Sequence, residues 1–258
     1  MTYINLLLIF AQEKDLYSIL DGNDGVIMME MCQSVNCADC NNKLSLFRFL
    51  TEDQLKRLND SRFEIKFSEG ETIIKQGSPL THIACLTKGL VKLHKESPSG
   101  DSFILGLLKP VSLIGGPGFL VDYRHHHSAT AIQDSAACFI KAEAFKKVLE
   151  ENGQFALALV AHLNKVIIRQ YHIITNLAHK HMHGKLAEAL LYLSDEVFES
   201  LDFRSFLSRQ DLAELTGMTK ESVIRVLKDW KEEGVLECKS DSFEIFNRET
   251  LVKISKNG

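Results

Sequence analysis

From about residue 61 to 150, apolar and polar side chains alternate over short segments punctuated by glycine. The stretch FEIKFSEGETIIKQGSPLTHIACLTKGLVKLHKESPSGDSFILGLL carries Gly70, Gly77, Gly89 and Gly100 at turn-like positions. A period of two sends successive side chains to opposite faces of a strand, and turns at roughly ten-residue spacing predict a β-sandwich or roll. Ser97-Pro98-Ser99-Gly100 reads as a hairpin connection, because proline and glycine supply the backbone angles that a tight turn needs.

Between Gln154 and His183 the period changes to that of one long helix. Ala156, Val160, Leu163, Ile167, Gln170, Ile174 and Leu177 recur at alternating spacings of four and three, a heptad seam with one polar member. The seam predicts that two copies of this helix pair side by side. Leu157, Leu159, Val166, Ile168 and Ile173 lie off the seam, and a second face of the helix is expected to pack on its own β-domain.

The third pattern is SRQDLAELTGMTKESVIRVLKDW, residues 208 to 230. Ser208 with Asp211 three residues on is a capping-box-like start, Gly217 ends the first short run in the left-handed conformation, and Thr219 caps the second. Leu212, Leu215, Met218, Val223, Val226, Leu227 and Trp230 form a buried side, with Ala213 small enough for close helix approach. Glu221, Ile224, Arg225 and Lys228 then share one outward face, with Lys220 beside them. An arginine and a glutamate one turn apart can each reach a base edge in a major groove, Arg225 to a guanine and Glu221 to a cytosine amino group. Their spacing also allows a plain solvated ion pair. The Gly234 stop and the hairpin VLECKSDSFEIF that follows complete a winged helix-turn-helix pattern.

The 258 residues are 45% hydrophobic and 25% charged, enough for two cored domains. The net charge is only −4, so any nucleic-acid binding must rest on a local face. The apolar INLLLIF near the start lacks a basic flank and is far shorter than the ~20 residues that span a bilayer, which predicts a cytoplasmic protein with no membrane anchor. Residues 1–31 have no domain-like pattern and read as an extension, with Met28, Met29 and Met31 as alternative starts. The expected organisation is α+β: a β-roll sensor domain with an N-terminal cysteine segment over 32–152, a long dimerisation helix over 153–183, and a winged helix-turn-helix domain over 184–258. No nucleophile, paired acid and base, or phosphate-binding glycine loop is present in the β-rich half, so no enzyme and no catalytic residue is expected.

This order of parts, with SRQDLAELTGMTKESVIRVLKDWKEEGVL at the C-terminus, resembles the Crp/Fnr family of bacterial transcription regulators across roughly residues 32 to 258. The most specific match is TKESVIRVL. The resemblance implies base reading by Glu221 and Arg225 with Lys220 alongside, and phosphate contacts from Ser208, Arg209, Gln210, Thr219 and Ser222. It also implies a homodimer, paired through Val160, Leu163, Ile167, Gln170, Ile174 and Leu177, on double-stranded DNA carrying a TGA-type inverted repeat, with RNA polymerase as a further partner. Ile224 departs from the small or hydroxyl residue usual there.

The family's cyclic-nucleotide site uses a glutamate for the ribose and an arginine beside a serine for the phosphate. The corresponding LIGGPGFLVDYRHHHSATA has no glutamate, and Arg124 precedes three histidines, so cyclic AMP is not the expected effector. His125, His126 and His127 read as an exposed loop, since consecutive strand residues cannot all face one ion. Oxygen-sensing members of the family hold a [4Fe-4S] cluster on three N-terminal cysteines and a fourth in the roll. That resemblance nominates Cys138, in SAACFIKAEAF, with Cys37 and Cys40 as a C-x-x-C pair. Leu46 stands where the family's further cysteine falls, so Cys32 would have to substitute from the other side. The alternatives are a relic, a zinc or thiol site, and a core thiol at Cys138. At the level of function, the competing readings are a β-roll protein whose C-terminal unit mediates protein contacts and a cupin-like metalloenzyme.

Overall fold

The computed structural model describes Cys40 and residues 44–258. A single 3-10 turn at Ser45–Phe49 leads into α1 (Glu52–Asp60), which starts on a complete capping box between Thr51 and Gln54. Eight strands follow: β1 (Arg62–Phe67), β2 (Thr72–Ile74), β3 (His82–Lys88), β4 (Val91–Glu96), β5 (Ser102–Leu108), β6 (Ser112–Ile114), β7 (Ser128–Ala131) and β8 (Ser135–Lys141). They form two four-stranded antiparallel sheets, ordered β1-β8-β3-β6 and β2-β7-β4-β5. The expected hairpin at 97–100 joins β4 to β5, with Gly100 at φ 90° and Ser97 N–H donating to Asp101 O at 2.8 Å. Gly89 is a second required glycine. At φ 89° a Cβ there would lie 2.6 Å from the Asp134 carbonyl oxygen, where the chain between β3 and β4 crosses the start of β8.

Strand alternation gives the roll two apolar layers. Ala84, Leu86, Ala137 and Phe139 face inward with Ile74, Val91, Ile114 and Ala129. Ile83, Cys85, Cys138 and Ile140 face the other way, under Leu44, Leu46, Phe47, Phe145 and Phe155. This outer layer carries α1, α2 (Ala142–Glu151) and the first turns of α3 (Gly153–His179). Asn152 ties them together: its Oδ1 caps α3 by accepting from Phe155 N–H at 3.0 Å, and its Nδ2 donates to Phe49 O at 2.8 Å.

The helix ends at His179, short of the expected His183. Lys180 adopts extended backbone angles, φ −86° and ψ 145°. Its ammonium turns inward, at 2.8 Å from both Glu188 Oε2 and Ser255 Oγ, and the chain restarts as α4 (Met182–Tyr192), which runs on into a π-type turn at Leu193–Val197. The expected second packing face is met only in part. Leu159 packs partly against the outer layer and half-buried Ile173 lines a cavity with Ile104 and Gly106 of β5, but Leu157, Val166 and Ile168 are exposed.

The C-terminal unit is β9 (Asp202–Arg204), α5 (Arg209–Thr216), α6 (Lys220–Glu232), β10 (Leu236–Lys239), β11 (Ser242–Ile245) and α7 (Arg248–Asn257). Strands order as β10-β11-β9. The unit's core, including Leu190, Leu212, Val226, Trp230 and Phe243, is continuous with Leu90, Ile104, Leu107 and Ile132 of the roll. The architecture is α+β: roll, long helix, winged helix-turn-helix. No helix among the described residues is long and apolar enough to cross a membrane.

Candidate nucleic-acid interface and sensing face

The helix-turn-helix is built by local chemistry. Ser208 Oγ accepts from Asp211 N–H at 3.1 Å while Asp211 Oδ2 accepts from Ser208 N–H at 2.9 Å, the reciprocal box that satisfies two orphan donors of α5. Gly217 closes the helix at φ 61° and ψ 34°, and Thr219 Oγ1 starts α6 by accepting from Ser222 N–H at 3.2 Å. Val223, Val226, Leu227 and Trp230 are buried, which turns Glu221, Ile224, Arg225 and Lys228 outward together with Lys220.

The ion pair that the Glu221–Arg225 spacing allows is not made. Arg225 Nη2 instead donates to Met182 Sδ at 3.6 Å, and Lys228 lies 3.7 Å from Glu232. Of the residues expected at phosphates, Ser208, Gln210 and Thr219 are exposed and Ser222 is half-buried. Gln210 Nε2 donates to Glu214 at 3.2 Å. Arg209 differs from the rest: its guanidinium lies over the Phe243 ring of the wing, 5.2 Å from the centroid, and its Nη1 is buried with no hydrogen-bond partner.

Asp211 also points back at the roll, where Lys92 of β4 meets its carboxylate at 2.5 Å. Burial alone would push the Asp211 carboxyl up, but hydrogen bonds from Lys92 and Ser208 together hold it below its usual range. Tyr192 of α4 makes a second link, accepting from Leu107 N–H at 3.0 Å.

On α3, Val160, Leu163, Ile167 and Ile174 are exposed along one stripe, Ile174 by 61%, while Gln170 and Leu177 are half-buried. Leu177 reaches the helix-turn-helix: a Cβ on Gly217 would stand 3.1 Å from its Cδ2.

Cys32 and Cys37 lie outside the described residues. Cys40 is half-buried, and the chain just beyond it packs, through Leu44 and Leu46, into the same apolar cluster as Cys138 of β8. Arg62 Nη1 donates to Cys138 Sγ at 3.4 Å. Soft thiol donors beside a guanidinium fit a thiolate-bound, net-negative group, although no three described ligand-type side chains gather closely enough to hold an ion by themselves.

The histidine run is not an exposed loop. Backbone alternation buries His125 and His127 and leaves His126 outside, 2.9 Å from Asp122. His125 Nδ1 and His127 Nε2 have no hydrogen-bond partner. Burial, then the charges of the neighbouring histidines and Lys95, lowers His127 to about 4. Arg124 is committed to the Gly77 carbonyl at 2.9 Å.

Residues 64–152 match the family model of the cyclic nucleotide-binding domain, and residues 184–254 match that of the Crp-like helix-turn-helix domain. The chain belongs to the Crp/Fnr family. Like other Crp/Fnr proteins it is a DNA-binding transcription regulator with a sensing domain, and its relatives are regulators rather than enzymes. It is 28% identical to the Global nitrogen regulator of Synechococcus elongatus over 216 residues, covering 81% of this chain and 95% of that protein. It is 25% identical to the Fumarate and nitrate reduction regulatory protein of Escherichia coli K12 over 230 residues, covering 86% of this chain and 91% of that protein. The solved structure of FixK2 from Bradyrhizobium japonicum shares this Crp/Fnr fold with a TM-score of 0.68 at 21% identity, over 75% of this chain and 96% of that one.

Proposed function

We propose that this regulator acts as a homodimer that reads a TGA-type inverted repeat through α6, with the roll sensing oxygen or redox state through a [4Fe-4S] cluster. The observation that carries the DNA reading is the outward face of α6, where Glu221, Ile224, Arg225 and Lys228 stand exposed on a helix fixed at its start by Thr219. Arg225 and Glu221 are the base readers with Lys220 alongside, and Ser208, Gln210, Thr219 and Ser222 serve the backbone. Arg209, stacked on the wing, positions that wing beside the phosphate it is expected to meet.

The exposed stripe from Val160 to Ile174 supports pairing of two α3 helices, since a monomer would leave it in water. The domains divide as 32–152, 153–183 with the long helix itself ending at His179, and 184–258, with 1–31 an extension. RNA polymerase is the expected further partner of a cytoplasmic regulator of this family.

Cys32, Cys37, Cys40 and Cys138 would hold the cluster, which when bound supplies an oxygen-labile centre. The protein's own part is positional. Phe47 and Asn152 link the segment after Cys40 to the first turn of α3, so a change in that segment reaches the helix carrying the stripe. A shift of ~1 to 3 kcal/mol between two helix arrangements changes affinity about fivefold to a hundredfold.

Anaerobic purification tests both halves. Iron, acid-labile sulfide and visible absorption are measured first. Fluorescence anisotropy on an inverted repeat and on scrambled DNA follows at fixed salt, before and after air. Colourless, iron-free protein removes the cluster; equal affinity for both DNAs removes the α6 reading.

A further inference from the structure

Cys85 has no part in the ligand set proposed above, yet it is the direct cross-strand partner of Cys138. β3 and β8 are adjacent and antiparallel, and their register pairs Cys85 with Cys138. Both side chains belong to the outer apolar layer, while their neighbours Ala84, Leu86, Ala137 and Phe139 belong to the inner one. The two thiols therefore lie on the same face of the sheet. Side chains paired this way have Cβ atoms about 4.5 to 5.5 Å apart. Two thiolates bound to one tetrahedral ion at about 2.3 Å lie within ~4 Å of each other, a spacing the pair reaches by rotamer choice.

We infer that Cys85 and Cys138 form a paired-thiolate donor site for a soft, thiophilic metal centre. Four observations converge on this pair. Both thiols are buried, which excludes competing water. Arg62 donates to Cys138 Sγ, placing a positive charge against thiolates that a metal would leave net negative. On the far side of Cys138, the register partner on β1 is Glu64, held by Thr87 Oγ1 at 3.0 Å, so a carboxylate lies one strand beyond the thiols. The cluster's lid is Leu44, Leu46 and Phe47, the chain that follows Cys40.

The pair supplies two donors, and further donors must be brought to it. Each metal–thiolate bond displaces one thiol proton, so a divalent ion taken by both releases two protons with no electron transfer. That the metal is iron in a cluster rests on the function proposed above; the donor pair does not.

The test uses the full-length, reduced protein without air. In a Cys32→Ser, Cys37→Ser, Cys40→Ser background the remaining thiols are Cys85, Cys138 and Cys238. Cadmium titration should give ultraviolet sulfur-to-metal absorption with two protons released per ion, abolished by Cys85→Ser and by Cys138→Ser but not by Cys238→Ser. Native mass spectrometry of the background protein itself, which needs no substitution at the pair, should show one bound cadmium with the loss of two protons. Absence of both signals overturns the pair.

Iron and sulfide reconstitution of the unsubstituted protein forms the second arm. Cys85→Ser should cut retained iron at least fivefold, as Cys138→Ser does, with Cys238→Ser near the unsubstituted value. Full iron in Cys85→Ser alongside loss in Cys138→Ser also overturns the pair. Cadmium binding without any iron uptake would end the cluster reading and leave the pair standing.

Discussion

Lys92 of the roll and Asp211 of the helix-turn-helix meet at 2.5 Å in a setting where neither side chain is more than 20% exposed. The same carboxylate caps α5, so one acid serves both the local helix and the contact between roll and DNA-binding unit. Lys92→Met leaves that carboxylate part-buried with one partner fewer, a cost of about 1.5 to 3 kcal/mol. In the Lys92→Met background, Asp211→Asn should recover part of the loss. Chemical denaturation of the four proteins in a double-mutant cycle measures the coupling, expected at ~1 to 3 kcal/mol; additive effects would mean that the contact carries no energy.

Base reading and backbone holding separate by substitution. Arg225→Ala should lose ~1 to 3 kcal/mol on the specific site and relax the preference at one base pair, with little loss on scrambled DNA. Arg209→Ala should weaken every sequence alike and also loosen the wing, because its guanidinium stacks on Phe243. Anisotropy titrations against a panel of single-base variants distinguish the two patterns.

The stripe on α3 predicts its own disruption. Leu163→Glu places a carboxylate in the middle of the paired seam, a cost of several kcal/mol in each subunit, and should yield a monomer with reduced DNA affinity. Lys165→Ala is a change of comparable exposure that should leave the association state unaltered. Sedimentation velocity over a concentration series reads the result.

His127 makes stability depend on pH. Its folded pKa of about 4 lies below the ordinary value of 6.5, so the unfolded chain binds the proton first as pH falls. The stability is complete above pH 6.5 and is lost between 6.5 and about 4, where the difference in proton uptake amounts to ~3 kcal/mol at ~1.4 kcal/mol per unit. His127→Gln should flatten the fall in melting temperature across that window. Asp211 follows the same sign lower down, its contribution disappearing only below pH ~4 as the carboxyl protonates.

The roll was legible in the sequence because its signals are local. Gly70, Gly77, Gly89 and Gly100 all take positive φ at the turns between alternating segments. The helix-turn-helix was legible for the same reason, through Ser208, Gly217 and Thr219. What escaped is non-local. No glycine or proline marks the end of α3 at His179; the break is made by Lys180 reaching Glu188 and Ser255. The buried alternation of His125 and His127 depends on which face of the chain the roll covers, and HHH alone carries no such phase. The pairing of Cys85 with Cys138 needed the strand register, and the stacking of Arg209 needed the position of the wing.

The uncovered stripe of α3 also bears on partner choice inside a cell. Between Leu157 and Ile174 the helix carries Lys165 and Arg169 but no acid, and Arg169 is already 3.3 Å from Glu196 of its own chain. Helices that choose among similar partners do so with complementary charges flanking the apolar seam and with repulsion against the wrong mate. This one has the seam without the charged complement, so in the proposed pair two copies would meet through apolar contact and the one polar seam residue, Gln170. A cell holding several regulators of this build would then have to keep them apart by Gln170 or by when and where they are synthesised.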